Sequence, residues 1–459
     1  MRPSSSTSDG PTGLFDGVLS RGGAAQEVSD AAWLRAMLDV EAALARAGAT
    51  AGLVPPQAAQ AITTACAQEH DVAALGRAAA ASGNPVVPLV RALEAAAGPE
   101  AGPWVHRGAT SQDVLDTAMV LVARRAGAAV LDDLAAAADA AADLAARHRD
   151  DPMAGRTLMQ QALVTTFGLK AAGWALALDG AHDRLTGVMA GLPVQLGGAV
   201  GTLSALDGRG TEVVQALADE LDLAVPVLAW HTARLPVADL AGALGTAAGV
   251  VGKVALDVVL LAQTEVGEVA EGVAGRGGSS TMPHKRNPVA CIAARAGATR
   301  APGLVAGLLA GLPQEHERAA GAWHAEWEAL SDLLRCTGSA AAWLHDALVH
   351  LVVDPARMRA NLAGSGLGTE AVAGALTGAL GRARAHDVVA SAAAGGDLRG
   401  ALLADPDVAA VLPADRLDAL LDPARGAGEA AALVDRALAA RTPGARTAGA
   451  RTPDRRNRP

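Results

Sequence analysis

Forty residues, "SQDVLDTAMVLVARRAGAAVLDDLAAAADAAADLAARHRD", run from Ser111 to Asp150 without a proline and with alanine or leucine at nearly every second position. Alanine and leucine are the best helix formers, and an unbroken run of this kind predicts a helix on the order of 55 Å long at about 1.5 Å per residue. Similar runs cover 159–190, 236–271 and 288–312. Several long helices in one chain imply a bundle, so the expected fold class is all-α. Their small apolar faces exceed what one chain needs to cover, and this predicts contacts between copies.

Flanking segments are shorter. Residues 26–49, "QEVSDAAWLRAMLDVEAALARAGA", carry helical periodicity, with Ser29 and Asp30 as N-capping groups before Trp33, Leu34, Met37 and Leu38. "SGNPVVP" at 82–88 breaks the helices that follow, because its two prolines cannot continue one. Beyond about residue 351, "AGSGLG" and "AAGGD" interrupt the pattern. The chain therefore divides into an N-terminal helical domain, 1–111, a central long-helix bundle, 112–350, and a small C-terminal helical domain, 351–440. A basic tail, 441–459, repeats "ART", lacks apolar periodicity and reads as a disordered extension.

The net charge of −10 argues against a nucleic-acid surface. Cys66, Cys291 and Cys336 lie far apart without metal-ligand spacing and fit reduced thiols in a cytoplasmic protein. "MRPSSSTSDGPTG" lacks the apolar core of a secretory signal, and no apolar run of membrane length is free of charge and glycine breaks, so no membrane partner is expected. Only three of the 38 basic residues are lysine: Lys170, Lys253 and Lys285. A lysine that persists beside so many arginines points to a place for a compact ammonium, because the two cations are not equivalent at a shaped site.

Four polar islands punctuate the apolar runs. "HRGATSQD", His106–Asp113, precedes a long helix; Thr110 and Ser111 could cap it or hold an anion at its positive end. "GRTLMQQA", Gly155–Ala162, is also placed at a helix start, with Thr157 and Gln160 as candidate donors. "WHTAR", Trp230–Arg234, reads as a surface turn or as part of a site. The fourth, "GGSSTMPHKRNP", Gly277–Pro288, is longer than the usual helix connection of about 2–8 residues. Its glycines admit close approach of a ligand, its serines supply hydroxyls, Lys285 and Arg286 charge, and Asn287 an amide. It is not a Walker A loop, since no glycine precedes the lysine and no Ser or Thr follows it. No island holds a His/Asp/Glu cluster at ligand spacing, so no metal and no cofactor are expected.

"GSSTMPHKRNP" matches the GSSxMPxKxNP signature of the fumarase/aspartase superfamily, and "HRGATSQD" and "GRTLMQQA" stand in the order of that superfamily's other two site regions. The resemblance spans about residues 14–400. "GNPVVPLV", "GRTLMQQALVTTFGLKAAGW", "LPVQLGGAVGTLSAL" and "GAWHAEW" are most similar to its cycloisomerase branch, whose members lactonise a carboxylated muconate. The resemblance implies three helical domains, a homotetramer with a twenty-helix core and sites shared between subunits. It also implies a small polycarboxylate substrate and an aci-carboxylate intermediate. Ser279 would transfer the proton, with His106 as a possible second acid. Lys285, Asn287, Thr110, Ser111, Thr157, Gln160 and Arg234 would hold carboxylates. One departure stands out. Many lyases of the superfamily carry THxQPA in the second region, where a histidine is the general acid; here Leu158 occupies that place. Adenylosuccinate cleavage and a catalytically silent structural role are the alternatives.

Overall fold

The structure, a computed structural model, describes residues 13–441 except 283, 363–367, 396 and 423–425. The tail expected at 441–459 therefore lies outside the described residues, apart from Arg441. Nineteen α-helices and two two-stranded ribbons make up the regular structure among them, an all-α fold. Those that position the site are α1 (Asp30–Thr50), α2 (Ser111–Arg147), β1 (Pro152–Thr157), β2 (Gln160–Thr166), α3 (Phe167–Ala190), α4 (Leu235–Leu261), β3 (Val269–Glu271), α5 (Val289–Ala310), α6 (Ala322–Val349) and β4 (Leu351–Val353).

Two compact units arise. The first comprises Met1–Ala135, Gly180–Ala255 and Cys291–Leu344; the second comprises Ala136–Asp179, Leu256–Ala290 and His345–Pro459. In the first, Ser29 caps α1 by accepting from the Ala32 N–H at 3.2 Å, as the sequence predicts. Ala43, Leu44 and Ala47 of α1 and Ala51 just beyond it pack on Leu196, Leu206, Val213 and Leu217. At Gly297 of α5, a Cβ would come 2.8 Å from the Cys336 carbonyl of α6; only glycine lets the two backbones approach so closely. In the second unit the helices between 369 and 421 share a core of Val372, Leu376, Val388, Leu402 and Val408.

The second polar island is not a helix start. It forms an antiparallel hairpin, β1 with β2, in register Thr157↔Gln160, and α3 begins only at Phe167. The turn residues Leu158 and Met159 both have positive φ, 49° and 69°, as a two-residue type I′ turn demands. Thr166 Oγ1 then accepts from the Leu169 N–H and caps α3. Helix α4 has a mean hydropathy of 1.8 over its most apolar window and is long enough to cross a membrane by length and composition alone, with 44 % of that window buried in the fold. Asp239, Lys253 and Asp257 and the glycines Gly242, Gly245, Gly249 and Gly252 interrupt it, so it is not a run free of charge and glycine breaks.

Candidate active site

In the second unit the signature loop joins β3 to α5. It is pinched shut at its base: the backbone N–H and the side-chain Nδ2 of Asn287 both donate to the Gly277 carbonyl, at 2.9 and 3.0 Å. Gly277 has φ +74°, and a Cβ there would lie 2.2 Å from the Asn287 carbonyl oxygen. The pinch is anchored by Glu271, whose carboxylate accepts from the Ala290 N–H at 3.1 Å at the start of α5. Inside the loop, Ser279 Oγ accepts from the Met282 N–H at 3.2 Å and lies 3.4 Å from Thr281 Oγ1. Such donors stabilise negative charge on an oxygen. Lys285 donates its backbone N–H to Met282, and its side chain is exposed. Pro283 lies outside the described residues.

The hairpin of the same unit presents Thr157 and Gln160 on either side of its turn, both exposed, and Leu158 at the tip is 97 % exposed. Next to the turn it is clamped by Arg156, which makes two hydrogen bonds to Glu268, at 3.0 and 2.7 Å; Asn361 donates to the same fully buried carboxylate at 2.8 Å.

The remaining candidates fall in the first unit, where Thr110 is bonded to the carboxylate of Asp113. Asp113, in the first turn of α2, reaches back to the Thr110 N–H at 2.9 Å, half of a capping box. It also accepts from Gly197 and Gly198 N–H at 3.0 and 2.9 Å and faces His231 Nε2 at 2.6 Å. A carboxylate only accepts, so Nε2 of His231 is the donor. The Thr110 hydroxyl is thus left for Arg318, whose Nη1 lies 3.4 Å away. Arg318 is half-buried, and burial pulls its pKa down, partly opposed by Asp113 and Asp116. Ser111 opens α2 beside this group.

Arg234 is the exception among the predicted residues. Its side chain is fully buried, and it donates to Asp116 at 2.6 and 3.0 Å and to Glu326 at 3.1, 3.2 and 2.6 Å. The hydrogen bonds of its guanidinium run to two buried carboxylates.

Sequence reasoning missed Glu41, His231 and Arg318. His231 lay in the "WHTAR" island, but was not separated from its neighbours. Arg318 lies in "PQEHERAAG", a polar connection that no helical pattern singles out. Glu41 stands as a charge at a core position of α1, a signal that helical periodicity does contain. No group of three or more potential metal ligands occurs among the described residues.

A model of the lyase family matches residues 22–303, and one described as the adenylosuccinate lyase C-terminus matches residues 367–437. The chain is 46 % identical over 447 residues to a nitrosuccinate lyase of Streptomyces davaonensis, covering 93 % of this chain and 94 % of that one. It is 48 % identical over 440 residues to a 3-carboxy-cis,cis-muconate cycloisomerase of Pseudomonas aeruginosa, covering 93 % and 96 %. The crystal structure of a 3-carboxy-cis,cis-muconate lactonizing enzyme from Pseudomonas putida superposes with a TM-score of 0.86 at 43 % identity, covering 93 % and 98 %. The chain belongs to the fumarase/aspartase superfamily.

Proposed function

We propose, starting from that membership, that this enzyme is a cycloisomerase which lactonises 3-carboxy-cis,cis-muconate to a carboxymuconolactone in protocatechuate breakdown. The observation that carries the reading is Leu158. The tip of the hairpin, where related lyases place a proton-donating histidine, holds an exposed leucine that cannot donate. Lyases that expel a nitrogen need that proton. A carboxylate nucleophile, with an unperturbed pKa near 4, needs neither a base to attack nor an acid to leave.

The steps balance as follows. A substrate carboxylate oxygen attacks one alkene carbon and forms the lactone C–O bond. The π pair moves to the neighbouring carbon, beside a second carboxylate, giving the aci-carboxylate. Ser279 delivers its hydroxyl proton to that carbon, and water restores the proton to Ser279. The trianionic substrate thus takes up one proton overall. The Met282 N–H and the Lys285 charge hold the Ser279 alkoxide in the interval, an arrangement of donors aimed at transient charge. Thr110, Ser111, Arg318, Thr157, Gln160, Lys285 and Asn287 would share the binding of three carboxylates. Asn287 keeps one Nδ2 hydrogen for this while the other closes the loop.

The assembly we propose is a homotetramer in the cytoplasm, each site drawing its regions from different copies. Leu176 of α3, Leu256 of α4 and Ile292 and Leu309 of α5 are large apolar residues left exposed on long helices, the surface such an assembly would cover. The division into three helical domains, at 111 and 350, belongs to the same proposal. The three cysteines are buried and in no disulfide among the described residues, in keeping with a reducing compartment.

A second reading is favoured by the nitrosuccinate lyase relative. Removal of a proton beside a carboxylate with loss of nitrite gives fumarate, and nitrite, like carboxylate, is a weak base that leaves unprotonated. Leu158 fits both reactions. Incubating the enzyme separately with 3-carboxymuconate, nitrosuccinate and adenylosuccinate decides between them by ultraviolet absorbance and nitrite release. Lactone formation supports the first reading; nitrite release with no lactone replaces it by the second. Silence with all three leaves the structural homologue.

A further inference from the structure

His106 and Glu41 form a pair that the lactonisation chemistry does not use. Glu41 lies on α1 among Val40, Ala42, Ala43 and Leu44, all buried, and is itself 1 % exposed. One of its oxygens, Oε1, lies 2.6 Å from His106 Nδ1; the other, Oε2, is buried with no partner. An ionised carboxylate in such a place costs several kcal/mol unless a cation stands against it. Among the described residues, His106 is the candidate cation at hydrogen-bonding distance, and it is held there by a left-handed backbone, φ +58°. Its side chain keeps 18 % of its surface open, so the ring is not sealed in.

The charges around the ring are mostly of one sign. Glu41 faces it from α1, Asp113 from the first turn of α2, and Glu94 from the helix Val86–Ala97. The neighbouring Arg107 is turned to Asp207 at 3.3 Å. Burial works against the imidazolium, but the charge and hydrogen bond of Glu41, followed by Asp113 and Glu94, outweigh it, and the pKa of His106 rises above the ordinary histidine value.

We propose that His106 is a standing imidazolium that grips a substrate carboxylate, and that Glu41 is the positioning residue that keeps it charged and oriented. The proposal rests on the polycarboxylate reading of the site. It removes His106 from the role of second acid, because a proton held between Nδ1 and a buried carboxylate is not offered to a leaving group, and Nε2–H is needed to bind. His106 would then contribute to KM and not to kcat.

Histidine Cε1–H exchange, followed by mass spectrometry across pH, reads the protonation of His106 without any reaction. The midpoint in wild type should lie above that of an ordinary histidine, and Glu41→Gln should lower it. Tricarballylate, a tricarboxylate that cannot react, should slow the exchange of His106 in wild type. In kinetics with whichever substrate is turned over, Glu41→Gln should raise KM by about tenfold at pH 8 and by less at pH 6, with kcat within about threefold. His106→Gln should raise KM at both pH values, and Glu41→Gln should add nothing to it. An unmoved exchange midpoint in Glu41→Gln, no effect of tricarballylate, or a loss confined to kcat would each overturn the proposal. If no candidate substrate is turned over, the functional reading fails by itself, while the exchange midpoint and the tricarballylate effect still decide the pair.

Discussion

Arg234 and Glu326 meet in a fully buried contact, with Nη2 2.6 Å from Oε2 and Nε 3.1 and 3.2 Å from the two oxygens. Asp116 takes the opposite side of the guanidinium, so one cation serves two carboxylates. Trp323 Nε1, Gln112 Nε2 and Gln195 Nε2 also donate to Asp116, at 2.9, 3.1 and 3.2 Å. Removing the cation would leave two buried carboxylates without a counter-ion. Arg234→Met is therefore expected to lower stability by about 3–5 kcal/mol, measured as a shift in the urea midpoint. A variant of unchanged stability but raised KM would return Arg234 to the substrate-binding set.

Ser279→Ala removes the only hydroxyl that the Met282 N–H supports. The loop keeps its shape, since its closure lies at Gly277 and Asn287 and not at the serine. Turnover should fall by roughly a thousandfold or more, the usual scale for a proton-transfer group with no substitute, while substrate binding by calorimetry stays near wild type. Activity within tenfold of wild type would transfer the role to Ser280, the neighbouring hydroxyl.

How far the sequence was legible differs from element to element. The long helices were legible because alanine runs and missing prolines are local signals; α2 was expected from about 112 and observed from Ser111 to Arg147. The hairpin was not. Its turn carries Leu158 and Met159 where a type I′ turn ordinarily announces itself with Asn or Gly. Its second strand, "QQALVTT", runs without a break into the apolar pattern of α3. The signature loop was legible as a motif, but its pinch was not: that Asn287 closes on Gly277 depends on the path of the nine residues between them. The partners of Arg234 were hidden for the same kind of reason. Asp116 and Glu326 lie 118 and 92 residues away from it, and only the folded chain brings them together.

Lys285→Arg tests whether the compact ammonium matters. The side chain is exposed in a chain whose basic residues are otherwise almost all arginine. A guanidinium is planar and wider, and it would displace a bound carboxylate by about an ångström, a misplacement that can cost about a hundredfold in rate. The expected result is a fall in kcat/KM of that order with the fold unchanged by circular dichroism. Near-normal kinetics would show that charge alone suffices at this position.

Leu158→His puts an imidazole at the most exposed position of the hairpin turn, where φ is +49° and histidine tolerates the left-handed region better than leucine. The substitution should fold. If the reaction adds or expels only a carboxylate, the new group has no proton to deliver, and lactonisation should be unchanged or slower through crowding. If the natural leaving group were an amine, wild type would be a poor catalyst of its own reaction, and the histidine would supply the missing acid. Steady-state rates with 3-carboxymuconate and adenylosuccinate separate these outcomes. Wild type should cleave adenylosuccinate negligibly, and Leu158→His should not raise lactonisation. A tenfold gain in lactonisation, or efficient adenylosuccinate cleavage by wild type, would mean that the leucine does not mark a leaving group that departs unaided.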